Sequence, residues 1–197
     1  QKSLFISIFL VGFWAGRMPP VGKSYRDVQE IPKRLFGPTA TTLRGKAVSV
    51  SDGDTIRFYH LPLWWQKAPE KMKVSQVALP IRICTIDTPE TPKFGKPGQP
   101  FGMEAKQTLK DMLDGKVITI RLLQKDQYGR GVAQVMSGNR HVDEHMLSLG
   151  MAEVYLGGGA VYGPKGKDAY LEMQEEAKSE KLGIWSTGKR ESAAEYK

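Results

Sequence analysis

The sequence predicts an α+β domain: a small closed β-barrel of five strands with about three helices, preceded by an apolar N-terminal segment. Three observations carry that expectation. Short runs of period-two alternation recur between turn residues, as in Ala47-Val48-Ser49-Val50 and Thr55-Ile56-Arg57-Phe58-Tyr59. Helical periodicity enters only in the second half of the chain, so helices do not alternate with strands as they would around a parallel sheet. The composition, 40% apolar and 25% charged over 197 residues, is that of a globular chain rather than a disordered or collagen-like one.

The elements follow in order. Leu4 to Gly16 reads LFISIFLVGFWAG, 13 residues without a charge. A full membrane span takes about 20 apolar residues and a signal-peptide core about 7–15. Residues 1–16 are therefore expected to be a membrane anchor or a targeting segment, and Gln1 in place of Met suggests residues upstream. Residues 17–41 are basic and interrupted by Pro19, Pro20, Pro32 and Pro38, which argues against one long helix. They are expected to be a tether, free or docked on the domain surface, with the domain running over 42–186 and a polar tail over 187–197.

Asp52-Gly53-Asp54 between two alternating runs is a hairpin signal. Residues 61–79 look like an insertion containing Trp64 and Trp65, expected to be packed against the barrel, with base stacking or a membrane interface as alternatives. Ile81 to Ile86 reads as a third strand with a buried Cys84. Pro89, Pro92, Pro97 and Pro100 make 87–100 a loop. Phe101 to Asp114 is helical through Met103, Ala105, Leu109, Met112 and Leu113, and Gly115 ends it. Val117–Leu123 and Val132–Met136 are strands joined by DQYGRG. Asp143 is expected to cap a short helix that ends at Gly150. A short strand within 151–156, a glycine-rich loop and a charged helix over about 167–181 complete the chain. Five short strands with late helices suggest a closed barrel of the OB kind.

Composition limits the chemistry. One cysteine excludes an intramolecular disulfide and a cysteine-based zinc site, and His60, His141 and His145 are too scattered for a histidine metal centre. The net charge of +8 points to an anionic partner, nucleic acid or membrane surface. Its distribution is uneven. Residues 1–46 hold eight of the 29 basic residues and two of the 21 acids, a net +6, which leaves +2 for the rest. Most of the excess thus follows the apolar run, where it suits an anionic membrane surface.

Three stretches stand out together: Asp52-Gly53-Asp54-Thr55 at the hairpin, Arg82 through Glu90 (RICTIDTPE), and Asp126 to Gly131 (DQYGRG). Each alone has an ordinary structural reading. Together they supply three carboxylates, Asp54, Asp87 and Glu90, and two guanidiniums, Arg82 and Arg130, at strand ends. Carboxylates without a soft ligand favour a hard cation such as Ca²⁺ or Mg²⁺. Arginine's fork binds two phosphate oxygens at once, and a remaining carboxylate can orient or deprotonate water. These are the parts needed to hydrolyse a phosphodiester.

Those motifs, with Lys181-Leu182-Gly183-Ile184-Trp185-Ser186 near the end, resemble the staphylococcal nuclease-like family over roughly Thr42 to Trp185. The apolar start, the long insertion and FGKPGQPFGMEA resemble its membrane-anchored, fungal mitochondrial branch. The resemblance implies an OB barrel and a Ca²⁺-dependent endonuclease acting on DNA or RNA and leaving 3′-phosphates. It implies Asp54, Asp87 and the Thr88 carbonyl as calcium ligands, and Glu90 as the residue that activates or orients water. Arg82 and Arg130 would hold the scissile phosphate, Tyr128 would contact substrate, and a further substrate tyrosine falls within Tyr155 to Tyr162, Tyr162 being the one taken. Gln127 stands where the family often has a lysine, and GGGA at 157–160 breaks the match around the second tyrosine. Membrane association in an organelle, mitochondrial ahead of thylakoid, is the expected location. A non-catalytic nuclease-like subunit of a membrane protein complex is the alternative, favoured by the apolar segment and basic tether. An OB module that binds single strands without cutting comes last, because clustered acids would repel phosphate.

Overall fold

The computed structural model describes residues 22–71, 73–93, 95–188 and 191–196. The apolar run at 1–16 and the start of the basic stretch lie outside the described residues.

Alternating side chains build the barrel. β1 (Leu43–Asp52) pairs antiparallel with β2 (Thr55–His60), Asp52 facing Thr55 across a two-residue turn. The inward face of β2 is Ile56, Phe58 and His60, each nearly or fully buried. A Cβ at Gly45 would lie 2.4 Å from the Phe58 ring, so only glycine lets these strands close over it. After a single-turn helix α1 (Val74–Val77) come β3 (Leu79–Ile83) and β4 (Ile86–Asp87). Helix α2 (Gly102–Leu113) leads to β5 (Val117–Lys125) and β6 (Gly131–Ser137). The strand order is β3-β2-β1-β5-β6, and a parallel pairing of β3 with β6, Ile81 opposite Gly131, closes the cylinder. The five-stranded barrel expected from the alternating runs is therefore present.

β7 (Arg140–His141) folds back antiparallel on the end of β6 and runs straight into α3 (Val142–Ser148). β8 (Glu153–Val154) pairs with β4, and α4 (Gly166–Ser179) packs on α3. Tyr170, Val142 and Met146 from these helices join Leu109 and Leu113 of α2 in one core with the barrel. Each such buried side chain contributes about 1.5–3 kcal/mol of apolar transfer energy.

Five expectations are corrected. The stretch 22–41 is more than a tether docked on the surface: Tyr25, Val28, Ile31 and Leu35 are buried in the core cluster. Tyr25 stacks on His60 at 5.3 Å, and its N–H donates to His60 Nδ1 at 3.1 Å. The polar tail also folds back, as α5 (Ala193–Tyr196) with Ala193 fully buried. Asp143 does not cap α3 but sits buried in its first turn, His141 taking the cap position without a side-chain bond. Met103 is exposed, because α2 turns Gly102, Ala105, Leu109 and Leu113 inward at helical spacing. Trp64 and Trp65 are exposed rather than packed on the barrel. Among the described residues, no helix is long and apolar enough to cross a membrane.

Candidate active site

The cleft lies where β2 starts, β3 ends and β5 hands over to β6. It encloses about 1270 Å³ and includes Asp54, Arg82, Asp87, Glu90, Tyr128, Arg130 and Tyr155 in its lining. Its organising feature is a break in a strand. Sequence alternation suggested one strand through Ile86, but the chain turns at Cys84-Thr85, and Thr85 takes φ 73°. A β-branched residue there costs on the order of 1–3 kcal/mol. Three bonds hold it: Thr85 N–H donates to the Val161 carbonyl (3.1 Å), its carbonyl accepts Tyr155 N–H (2.7 Å), and its Oγ1 accepts Gly163 N–H (3.1 Å). The turn folds Asp87 back toward Arg82 and brings the 155–163 loop to the cleft.

Arg82 is the hub. Its Nη1 pairs with Asp54 Oδ2 at 2.7 Å, and its Nη2 pairs with Asp87 Oδ1 and donates to the Ile86 carbonyl, both at 3.0 Å. The guanidinium also lies 4.9 Å from the Tyr155 ring centroid. Burial would push Arg82 down, but Asp54 and Asp87 outweigh it and hold the group above its ordinary value. Asp54 and Asp87 are only 6% and 2% exposed.

Arg130 is placed by the DQYGRG turn itself. Asp126 Oδ1 accepts the N–H groups of Tyr128 and Arg130, and Asp126 Oδ2 accepts Arg130 Nε at 2.6 Å. This aspartate-capped turn presents the guanidinium toward β2, where Nη1 reaches Thr55 Oγ1 at 3.5 Å. Thr55 Oγ1 in turn donates to Asp54 Oδ1 at 2.7 Å. Arg82, Asp54, Thr55 and Arg130 thus form one connected chain, with both guanidiniums on the same patch.

Glu90 enters from the proline-containing loop. Gln99 holds its backbone in both directions, accepting Glu90 N–H at 3.0 Å and donating its own N–H to the Glu90 carbonyl at 2.9 Å. Gln99 Nε2 then reaches the Glu191 and Ser192 carbonyls of the folded-back tail. Lys93 pairs with Asp52 and lies 3.4 Å from Glu90 Oε2. Burial lowers the Lys93 ammonium, but Asp52 and Glu90 more than offset this and raise it. Thr88 is buried against Gly53, where an added Cβ would come within 2.6 Å of Thr88 Oγ1. The hairpin glycine is therefore a packing requirement of the site.

Asp54, Asp87, Glu90, Arg82 and Arg130 all come together in this cleft. Tyr128 stands at its rim, 74% exposed, with Arg130 5.5 Å from its ring centroid. Tyr162 is turned away: it packs on the core, and its hydroxyl donates to the Tyr155 carbonyl at 3.0 Å. The ring in the cleft is that of Tyr155. Sequence reasoning also passed over Thr55, Lys93, Gln99 and Asp126, although the Asp-x-Tyr-Gly-Arg turn carried the signal for Asp126.

A metal here would meet oxygen only. Among the described residues no three His, Cys, Asp or Glu side chains gather as a ready metal site. Two buried carboxylates against one shared guanidinium leave a local negative charge. Carboxylate oxygens with water fit a hard cation and not zinc.

Comparison of the sequence with known proteins gives the family. Residues 80–187 match the profile described as staphylococcal nuclease homologue. The chain belongs to the staphylococcal nuclease family. A relative in Saprolegnia parasitica named Endonuclease Htp3 is 42% identical, covering 98% of this chain and 94% of its own. A protein of Komagataella phaffii named Probable endonuclease LCL3 is 36% identical over 85% of this chain and 79% of its own. Its Candida dubliniensis namesake is 38% identical over 76% and 68%. The nuclease-family profile begins at Pro80, one strand after the Asp54 hairpin, so Asp54 enters the site through the β2–β3 pairing of Thr55 with Arg82.

Proposed function

We propose that this chain is an endonuclease that hydrolyses phosphodiester bonds of DNA or RNA, uses Ca²⁺, and works tethered to an organellar membrane, mitochondrial ahead of thylakoid. The names of its relatives support the class of reaction. The observation that carries it is the connected chain Arg82–Asp54–Thr55–Arg130, which puts two guanidiniums on one cleft floor beside Glu90.

In this reading a scissile phosphate lies between Arg82 and Arg130. Their forked N–H groups neutralise the charge that builds on the non-bridging oxygens as phosphorus becomes five-coordinate. Glu90 accepts a proton from a water whose oxygen attacks phosphorus opposite the 5′ oxygen. The P–O5′ bond breaks, the 3′ side keeps the phosphate, and the departing 5′ oxygen takes a proton from solvent. Asp54, Asp87 and the Thr88 carbonyl would hold the Ca²⁺, which supplies positive charge beside the phosphate when bound. Asp126 keeps the Arg130 fork aimed, Tyr155 backs Arg82, and exposed Tyr128 offers a face for a base. The apolar run at 4–16 and its basic flank would supply the tether.

The test is digestion of single-stranded DNA, duplex DNA and RNA by the full chain with Ca²⁺ and with chelator. Glu90→Gln and Arg130→Ala are each expected to cut activity by about a hundred- to a thousandfold. Cleavage that ignores the chelator, or that survives in both variants, refutes the reading.

A further inference from the structure

The insertion between β2 and β3 has an exposed aromatic tip that the catalytic cleft does not use. Trp64 and Trp65 are 78% and 59% exposed, meeting edge to face with ring centroids 5.6 Å apart. Their position is built rather than incidental. They are the two central residues of a turn closed by Gln66 N–H donating to the Leu63 carbonyl (3.1 Å). Gln66 Oε1 accepts Leu63 N–H at 3.2 Å, and Arg44 Nη1 ties the same carbonyl to β1 at 3.4 Å. Two tryptophans held outward in water are unfavourable for a free surface, and their amphipathic rings suit the boundary between headgroups and acyl chains.

Three further observations indicate what covers them. First, Gly22 lies against the insertion: a Cβ on it would sit 3.7 Å from Leu63 Cδ1. The uncharged run ends at Gly16, and the intervening residues 17–21 reach at most about 18 Å. The first described residue after the apolar segment is thus beside the tryptophan turn. Second, the surroundings are basic. Lys67, Lys71 and Lys73 are exposed in the same insertion against Glu70, and exposed Lys23 precedes the buried Tyr25. Third, the turn follows His60, whereas the cleft is at Thr55, the opposite end of β2 and roughly 17 Å away.

We infer that the Trp64–Trp65 turn is a membrane-contact site that seats in the interface of an anionic bilayer, next to the entry point of the apolar segment. This rests on the tethering part of the proposed function and adds a second point of attachment. Two attachments at one end of β2 orient the domain, with the cleft directed away from the lipid and open to a polymer. A single flexible tether would leave that orientation undefined.

The experiment uses the full chain carrying Trp14→Phe, so that the apolar segment contributes no indole, in vesicles of phosphatidylcholine with one-third phosphatidylserine. Acyl chains brominated just below the headgroups serve as the quencher. Floated protein is expected to show blue-shifted, bromine-quenched emission. Adding Trp64→Phe and Trp65→Phe is expected to reduce quenching to the level given by Trp185 alone. Both positions are exposed, so folding is not at issue, and a far-ultraviolet spectrum checks it. Protein that floats with unquenched indoles overturns the inference alone. Protein that does not float overturns the tethering reading as well. Emission quenched by a single-stranded oligonucleotide, and not by brominated lipid, would make the pair a base-stacking surface and overturn the inference.

Discussion

Replacing Arg82 by methionine probes the electrostatics that hold the cleft together before any catalysis occurs. The guanidinium pairs with Asp54 at 2.7 Å and Asp87 at 3.0 Å. The three side chains are 12%, 9% and 3% exposed, so water screens them poorly. Removing one partner of a buried pair costs about 3–5 kcal/mol, because the remaining charge is stranded, whereas a surface pair is worth about 0–1 kcal/mol. Loss of the Tyr155 contact adds up to about 1 kcal/mol, and the Thr55 hydroxyl, already on Asp54 in the parent, brings no new compensation. The net is about 4 kcal/mol, and methionine keeps most of the apolar stem packing. At about 2–4 °C per kcal/mol for a domain of this size, Tm should fall by about 8–16 °C in chelator. Calcium should recover about 2–3 kcal/mol at saturating concentration and stabilise the variant more than the parent, whose carboxylates already have a cation. Urea and thermal unfolding, with and without calcium, read all of this. A loss below about 1 kcal/mol in chelator would refute it and show the pairs to be solvated.

His60 should titrate at about pH 4 by NMR, because burial first and Arg26 second disfavour its charged form. The unfolded chain then binds the extra proton between pH 6.5 and about 4, so stability is full above pH 6.5 and is lost as pH falls through that window. The loss is about 3 kcal/mol in all, and a His60 titration above pH 6 refutes it. Gln99→Ala should lower kcat about ten- to a hundredfold with little change in KM, since Gln99 positions the Glu90 backbone and anchors the tail to it. An unchanged kcat would show that the tail does not support the site. Cys84, buried and with its thiol pushed up to about 12, should resist thiol reagents near neutral pH in the folded protein and react readily in denaturant. Equal rates in the two states would refute that.

Local chemistry was enough to foretell much of the site. The Asp-Gly hairpin, the RICTIDTPE strand end and the DQYGRG turn each contain their own geometry, so Asp54, Arg82, Asp87 and Arg130 could be placed at strand ends from sequence alone. The DQYGRG turn is the clearest case, because Asp126 makes its bonds within four residues of itself. Alternation likewise revealed the barrel strands, since a side chain's face on a strand depends only on its parity.

Other features depended on segments far apart in the chain. The basic, proline-interrupted stretch at 22–41 looked like a tether because its apolar residues are sparse. Their burial exists only because His60 and Leu122 meet them across the barrel, where Gly37 N–H donates to the Leu122 carbonyl. The break at Thr85 contradicts β-branched preference and is held by Tyr155, Val161 and Gly163, some 70 residues later. The same long-range bonds put Tyr155, and not Tyr162, in the cleft. The exposure of Trp64 and Trp65 follows from where the insertion leaves the barrel, and no pattern of neighbours in sequence records that. Sequence by itself determined the strands, the turns and the charges that a phosphodiester site needs. The tertiary structure decided which of those charges are buried together, and which aromatic rings face the cleft and which the solvent. Burial and pairing are properties of surfaces that meet only when the barrel closes.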